Sequence, residues 1–339
     1  MSASVVCFGE LLLRLNAPDH ELLFQSGQLR VWVGGAEANV AVSLACLGHS
    51  TAMVSVVPDN AAGQACSSEL RRRGVSTEHI STTAGRLGIY FMSTGAGHRP
   101  SEIIYDRAGS AFATHADRDV DWRRVLSGAR WLHLSGITPA LSEAANAATL
   151  RAASVAHELG VRVSFDCNYR AKLWQSGQRQ AAECLRKLAE QADLVFADHR
   201  ALEMILGLPE GAGSASDRFA HAATHALKTF PGVKEIATMF RTEHSVDRHD
   251  LSAALCSRAG LATSSRTYAL EQSVDRIGAG DAFAAGLLHG SLQGMSETDS
   301  LEFALAAACL KHSVPGDFNL VTAAQVGDLL ANRGYAVRR

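Results

Sequence analysis

Short apolar runs alternate with amphipathic stretches along most of the chain, and this alternation limits the fold more than any other feature. Residues 4–8, 51–57, 131–137, 162–166, 193–197 and 235–240 read as strands that are apolar on both parities. Between them, residues 38–47, 61–73, 142–159, 178–191 and 216–230 have helical periodicity. A strand apolar on both sides must be covered on both sides, so the pattern predicts an α/β fold with a parallel sheet clothed by helices. The C-terminal part is mostly helical, at 281–293, 297–311 and 322–332. With 339 residues there is room for one large domain or two ordinary ones.

Two regions interrupt the alternation. Residues 11–34 carry strand character at 11–15 and 29–33, where a crossover helix is expected. Residues 86–105 hold two extended segments, 88–94 and 102–106, joined by Gly95-Ala96-Gly97, which reads as a hairpin. Together they predict a small antiparallel flap beside the main sheet. Gly211-Ala212-Gly213-Ser214 reads as a surface loop, and no internal repeat is visible.

Composition excludes several classes of function. The formal net charge of −2 argues against a nucleic-acid binder driven by counterion release. No apolar run approaches the ~18 residues of a membrane span. The chain enters strand-like sequence at Val5 without a basic leader, so no secretory signal is expected. Seven cysteines are scattered with no C-x-x-C pair, as expected of reduced thiols in the cytoplasm. Fourteen histidines form no H-E-x-x-H or H-x-H cluster.

The chemistry is concentrated in four places. Asp275-Arg276-Ile277-Gly278-Ala279-Gly280-Asp281 runs straight into a helix. Bare backbone N–H groups and the helix dipole make such a start an anion site. Asp281 would be a plain N-cap on the bland reading. A carboxylate beside an anion cradle also suits a base that takes a proton from a hydroxyl attacking a phosphate. Gly34-Gly35-Ala36-Glu37-Ala38-Asn39 joins a strand to a helix, where paired glycines let a ligand approach the backbone. Asp166-Cys167-Asn168-Tyr169-Arg170 follows an apolar strand, at the end where parallel sheets bind ligands. In Tyr105-Asp106-Arg107, strand alternation puts Tyr105 and Arg107 on one face.

In order and spacing these segments resemble the ribokinase-like (PfkB-type) carbohydrate kinases, and within them the 2-keto-3-deoxygluconate kinase branch. The likeness also covers Cys7-Phe8-Gly9-Glu10-Leu11, Leu173-Trp174 and the run from Lys311 to Asn319, and so spans nearly the whole chain. It implies a single domain over residues 1–339, a three-layer sandwich with a discontinuous β lid at about 11–34 and 86–112. It implies phosphoryl transfer from ATP, with Mg2+, to the 6-hydroxyl of the sugar acid. Asp281 would be the base, and the amides of Gly278, Ala279 and Gly280 the anion hole. Gly35, Glu37, Asn39, Tyr90, Tyr105, Arg107 and Asp317 would hold the sugar acid, with Arg107 on its carboxylate. Asn168 and Arg170 would lie between sugar and phosphates, and Thr238 and Arg241 on the nucleotide. The lid would also supply an interface between copies of the chain.

Three positions depart from the family pattern. Asp198-His199-Arg200-Ala201 stands where these kinases carry N-x-x-E, so the usual acidic contact to hydrated Mg2+ is lacking, with Glu203 as a stand-in; no metal ligand is assigned. Thr238-Met239-Phe240-Arg241-Thr242-Glu243 stands where the family has T-x-G-x-x-G, so either Arg241 replaces backbone contacts to phosphate or the nucleotide sits differently. Arg276 stands where the broad family has Pro or Thr. The competing readings are a kinase for 2-keto-3-deoxygalactonate or fructose and a weakly active sugar-acid sensor. A dinucleotide oxidoreductase would need G-x-G-x-x-G after the first strand, and Phe8-Gly9-Glu10-Leu11 does not supply it.

Overall fold

A computed structural model describes residues 3–118, 120–174, 177–246, 248–264 and 266–332. The ends of the expected 1–339 domain therefore lie outside the described residues. The strands are β1 (Val5–Phe8), β2 (Leu12–Asn16), β3 (Arg30–Gly34), β4 (Thr51–Pro58), β5 (Val75–Thr83), β6 (Gly88–Ser93), β7 (Glu102–Asp106), β8 (Trp131–Ser135), β9 (Arg162–Asp166), β10 (Leu194–Phe196), β11 (Glu235–Glu243), β12 (His249–Ser257), β13 (Gly260–Thr263) and β14 (Tyr268–Leu270). The helices are α1 (Ala36–Cys46), α2 (Ala61–Arg72), α3 (Ala111–His115), α4 (Trp122–Val125), α5 (Glu143–Glu158), α6 (Gln178–Glu190), α7 (His199–Leu206), α8 (Ala215–Thr229), α9 (Ala279–Gln293), α10 (Glu297–Lys311) and α11 (Ala323–Leu330).

The main sheet has the order β13-β12-β11-β10-β9-β8-β1-β4-β5, with β14 paired to β12. From β5 to β11 every neighbouring pair is parallel, and the pairs from β11–β12 onward are antiparallel. The strands are apolar on both parities because both faces are covered. Val6 and Phe8 pack toward α5, α6 and α8, whereas Val5 and Cys7 pack toward α1, α9 and α10. The result is three layers with two cores. β1 is the switch point: β4 and β5 lie on one side of it, and β8 to β11 on the other. Ligands of such sheets bind beyond the strand ends near that point.

α9 is placed by close packing on α10. A Cβ on Gly286 would come within 2.5 Å of the Ala304 backbone, and one on Gly290 within 2.3 Å of Ser300 Oγ. These glycines let the two helices approach more closely than side chains would allow.

The second sheet has the order β3-β2-β6-β7. The 88–94/102–106 hairpin forms as expected, but the flap is not wholly antiparallel: β2 pairs with β6 in parallel. The intervening chain passes through the main sheet as β4 and β5, so the two halves meet with their directions aligned. Further differences have local causes. β5 is a polar edge strand (VSTEHISTT) that the apolar criterion passes over. β11 continues to Glu243 because β12 pairs with it along its whole length. All seven cysteines are free. No helix among the described residues is long and apolar enough to cross a membrane.

Candidate active site

The C-terminal ends of β8, β9 and β10, the body of β11 and the first turn of α9 border one cleft of about 930 Å³, with β6 and β7 forming its roof. That volume suits a pair of small-molecule ligands. Asn39, Tyr90, Tyr105, Arg107, Asn168, Arg170, Thr238, Arg241, Gly35, Asp317 and Gly278 to Asp281 all line it, so the fold gathers them from sites scattered along the chain.

Gly278 is the N-cap of α9, with φ +82°. A Cβ there would stand 2.0 Å from the Asp317 carbonyl oxygen, so only glycine fits. The space beside Gly280 is open, which leaves the backbone of the first turn bare toward the cleft. Asp281 is the third residue of the helix and makes no capping bond, so the plain N-cap reading fails. Its Oδ2 instead accepts a hydrogen bond from Asn39 Nδ2 at 2.7 Å. Burial pushes the Asp281 carboxyl up to about 7; the Asn39 bond opposes the rise, and the charges of Asp166, Glu37 and Asp317 add to it. Asn39 Oδ1 is buried without a hydrogen-bond partner in the protein.

Asp166 ends β9 and is pushed up to about 6 by burial, against the pull of Arg170. Its Oδ1 accepts from the Asn168 backbone N–H at 3.0 Å, and Asn168 is held at φ +33°, a left-handed conformation Asn tolerates. Arg170 is exposed at the cleft mouth. Arg241 is different: burial lowers its pKa, and its Nε has no partner.

The inner face of the small sheet carries the row Trp32-Arg14-Tyr90-Tyr105 across its four strands. Tyr90 donates to Asp317 Oδ2 at 2.6 Å, and Arg14 Nη1 donates to Asp317 Oδ1 at 3.2 Å and to Asp275 Oδ2 at 2.8 Å. Arg107 is no solvated strand arginine. It is buried just past the end of β7, and its Nε donates to Glu10 Oε2 at 2.6 Å, while the guanidinium still borders the cleft.

Two expectations change. Glu37 does not reach the cleft surface: its Oε1 accepts from Ser135 Oγ and Thr138 Oγ1, both at 2.7 Å, so it is committed to the wall behind the cleft. Glu203 does not replace the acid missing at Ala201: it turns away to Arg218, 2.6 Å distant, and to the Gly211 N–H. Asp198, which caps α7 through the Ala201 N–H, does line the cleft together with Arg200. Three charged residues stand close to the cleft with no role foreseen from the sequence: Glu10, Arg14 and Lys311. A lone charge inside an otherwise apolar strand or helix, as in Leu12-Leu13-Arg14-Leu15 or Ala308-Cys309-Leu310-Lys311, was the available signal.

A carboxyl near neutrality, a helix start with bare amides and a shielded polar cleft make a site for moving a proton beside an anion. This is the equipment of a phosphotransferase acting on a hydroxyl. The family model for pfkB family carbohydrate kinases matches residues 2–323, and the chain belongs to that family. It is 33% identical to a 2-dehydro-3-deoxygalactonokinase of Haloferax volcanii, with both chains covered in full. The 2-dehydro-3-deoxygluconokinase of Thermotoga maritima superposes with a TM-score of 0.91 at 39% identity, over 96% of this chain and 99% of that one. A putative ribokinase II of E. coli, solved with ATP and Mg2+, shares the fold alone, with a TM-score of 0.79 at 19% identity, over 97% of this chain and 99% of that one. The architecture is thus the ribokinase-like α/β fold.

An essential base with a pKa near 7 gives a rate that climbs with pH through neutrality and levels off above it. The acidic limb of kcat/KM should therefore be centred near pH 7. Asn39→Leu removes a bond that favours the charged form, so it should move this limb to higher pH. Asp281→Asn should lower kcat by about 10²–10⁴-fold while ATP still binds. A pH–rate series with the two variants checks both expectations.

Proposed function

We propose that the protein is an ATP-dependent sugar-acid kinase that phosphorylates the 6-hydroxyl of 2-keto-3-deoxygluconate. The observation that carries this reading is the position of Asp281, a carboxyl poised near neutrality in the same helical turn as the bare amides of Gly278 to Gly280. Asp281 takes the proton of the 6-hydroxyl, whose oxygen attacks the γ-phosphorus of ATP. The bond from that phosphorus to the β–γ bridging oxygen breaks, and ADP leaves. The amides of Gly278, Ala279 and Gly280 stabilise the charge on the transferring group. Asn39, which lines the cleft, orients the base and contacts the sugar, Gly35 lets the sugar approach the backbone, and Asp317 holds a neighbouring hydroxyl.

On the nucleotide side, Asn168, Arg170, Thr238 and Arg241 face the phosphates. The unpartnered Nε of the buried Arg241 supports a substitution of side-chain for backbone contacts in the glycine-free outer half of β11. Mg2+ is commonly held by one or two carboxylates and substrate phosphates, and Asp166 and Asp198 on the cleft wall meet that need. When bound with ATP it spreads the phosphate charge. The setting of this reaction is the cytoplasm.

The carboxylate of the substrate is assigned to Arg107, with Tyr90 and Tyr105 beside it. Removing Arg107 alone would strand Glu10 as a buried charge, at a cost of about 3–5 kcal/mol. The cleaner variant is Glu10→Gln/Arg107→Gln. It should raise KM for the sugar acid about 10- to 150-fold, as loss of a charge-assisted hydrogen bond worth roughly 1.5–3 kcal/mol implies. Turnover of fructose, expected to be poor in the wild type, should not change. Equal losses on both substrates would assign Arg107 to the lid architecture instead.

The C4 epimer, 2-keto-3-deoxygalactonate, is the second reading, favoured by the name of the full-length relative from Haloferax volcanii. An ADP-release panel with both acids, fructose and ribose separates the readings. We expect turnover on one or both acids and little on the neutral sugars. Preference for a neutral sugar would overturn the assignment.

The small sheet is also proposed as the contact between copies of the chain. Its outer face carries an apolar row, Val31-Leu15-Phe91-Ile104, across all four strands. Val31 is 57% exposed and Ile104 47%, with Phe24 tilted against Phe91 and 71% exposed. Apolar surface gathered in one patch marks an association site. Light scattering should find an oligomer for the wild type and a monomer for Val31→Glu/Ile104→Glu.

A further inference from the structure

Lys311 is a buried charge to which the proposed reaction gives no task. Lys311, the last residue of α10, is 0% exposed and among the largest fully buried side chains among the described residues. An ammonium group loses strong hydration when buried, and a methionine would fill the same space without that cost. Its Nζ donates to the carbonyl oxygens of Val314 at 2.9 Å and Asp275 at 3.4 Å. Among the described residues no carboxylate forms an ion pair with it; both of its hydrogen-bond partners are backbone carbonyls. The two carbonyls belong to the two segments that build the cradle: Asp275 opens the turn into Gly278, and Val314 precedes the loop that carries Asp317. The stem of Lys311 lies directly beneath the cradle, so that a Cβ on Gly278 would be 3.3 Å from its Cε.

We propose that Lys311 is a positioning residue for phosphoryl transfer: it fixes the Asp275–Gly280 turn from below and places a positive charge behind the amides that receive the transferring group. The inference rests on the kinase reading and deepens it. Lys311 does not touch substrate; it acts through the backbone of Gly278 and Asp275. The charged groups around it are Asp275, Asp317 and Asp281, with Arg14 opposing, and His312 adjoins it on its own helix. Burial pulls its pKa down to about 8, against the pull of Asp275 and Asp317. Its charge is thus present at neutral pH and is lost as the pH rises through about 8.

The test begins with wild-type ADP release on whichever substrate is accepted, which settles the kinase reading by itself. Lys311→Gln keeps a donor for the carbonyls and removes the charge. It should lower kcat by about 10- to 100-fold, short of the full loss of an oxyanion donor, with KM for both substrates within about threefold. Lys311→Ala opens a cavity floored by two carbonyls, and ammonium or methylammonium chloride should restore at least about tenfold of its kcat while leaving the wild type unaffected. A purely structural tether predicts instead that Lys311→Gln keeps kcat within about threefold and that amines do nothing; either result overturns the proposal, as does a rise in KM alone. Should either variant fail to fold, the wild-type profile still decides. A kcat that falls above about pH 8 supports the fixed charge, and one that stays flat to about pH 10 contradicts it.

Discussion

Arg14 ties together three parts of the chain that are far apart in sequence. It stands on the inner face of the small sheet and donates to Asp275, before α9, and to Asp317, after α10. All three side chains are nearly inaccessible to water. Asp275 also accepts from the backbone of Ile277 and Gly316, so one carboxylate sets the shape of the turn into α9 and of the loop beside it. A buried ion cluster of this kind adds little net stability, but removing one member leaves an uncompensated charge at a cost of about 3–5 kcal/mol. Its contribution here is geometric. It holds the roof of the cleft, the floor of the cradle and Asp317 in one register.

The cradle and the base then follow from a single helix start. Gly278 must be glycine because the Asp317 carbonyl occupies the space of its Cβ. The space beside Gly280 is open, so the backbone there is bare toward the cleft, and Asp281 enters the cleft from the third helical position. The same enclosure that bares the amides also shields Asp281 and raises its pKa. Burial thus prepares both features of the site, a helix start with bare amides and a carboxyl poised near neutrality.

Much of this was legible in the sequence, for physical reasons. Val5 to Phe8 is apolar on both parities because helices cover both faces, so strand type and layer order follow from local pattern. Gly278-Ala279-Gly280-Asp281 is legible because glycines before a helix and an acid within it serve two chemical needs at once. Long-range pairing was not legible. Arg14 meets partners 261 and 303 residues away, and nothing near it in sequence announces them. The direction of Glu37 depends on the rotation of α1 about its axis, which turns the carboxylate toward Ser135 and Thr138 rather than into the cleft. The parallel join of β2 to β6 depends on a path through β4 and β5 that two separate strand patterns cannot reveal.

The claim that joins these observations is that Asp281 activates a primary hydroxyl of a keto-deoxy sugar acid for attack on ATP. Proton-coupled 31P NMR of the reaction mixture tests it most directly. The account predicts loss of the γ-phosphate signal of ATP and growth of a phosphomonoester triplet, split by the two protons on C6. A doublet would place the phosphate on a secondary hydroxyl, and release of inorganic phosphate alone would mean that no sugar hydroxyl is activated; either would contradict the account.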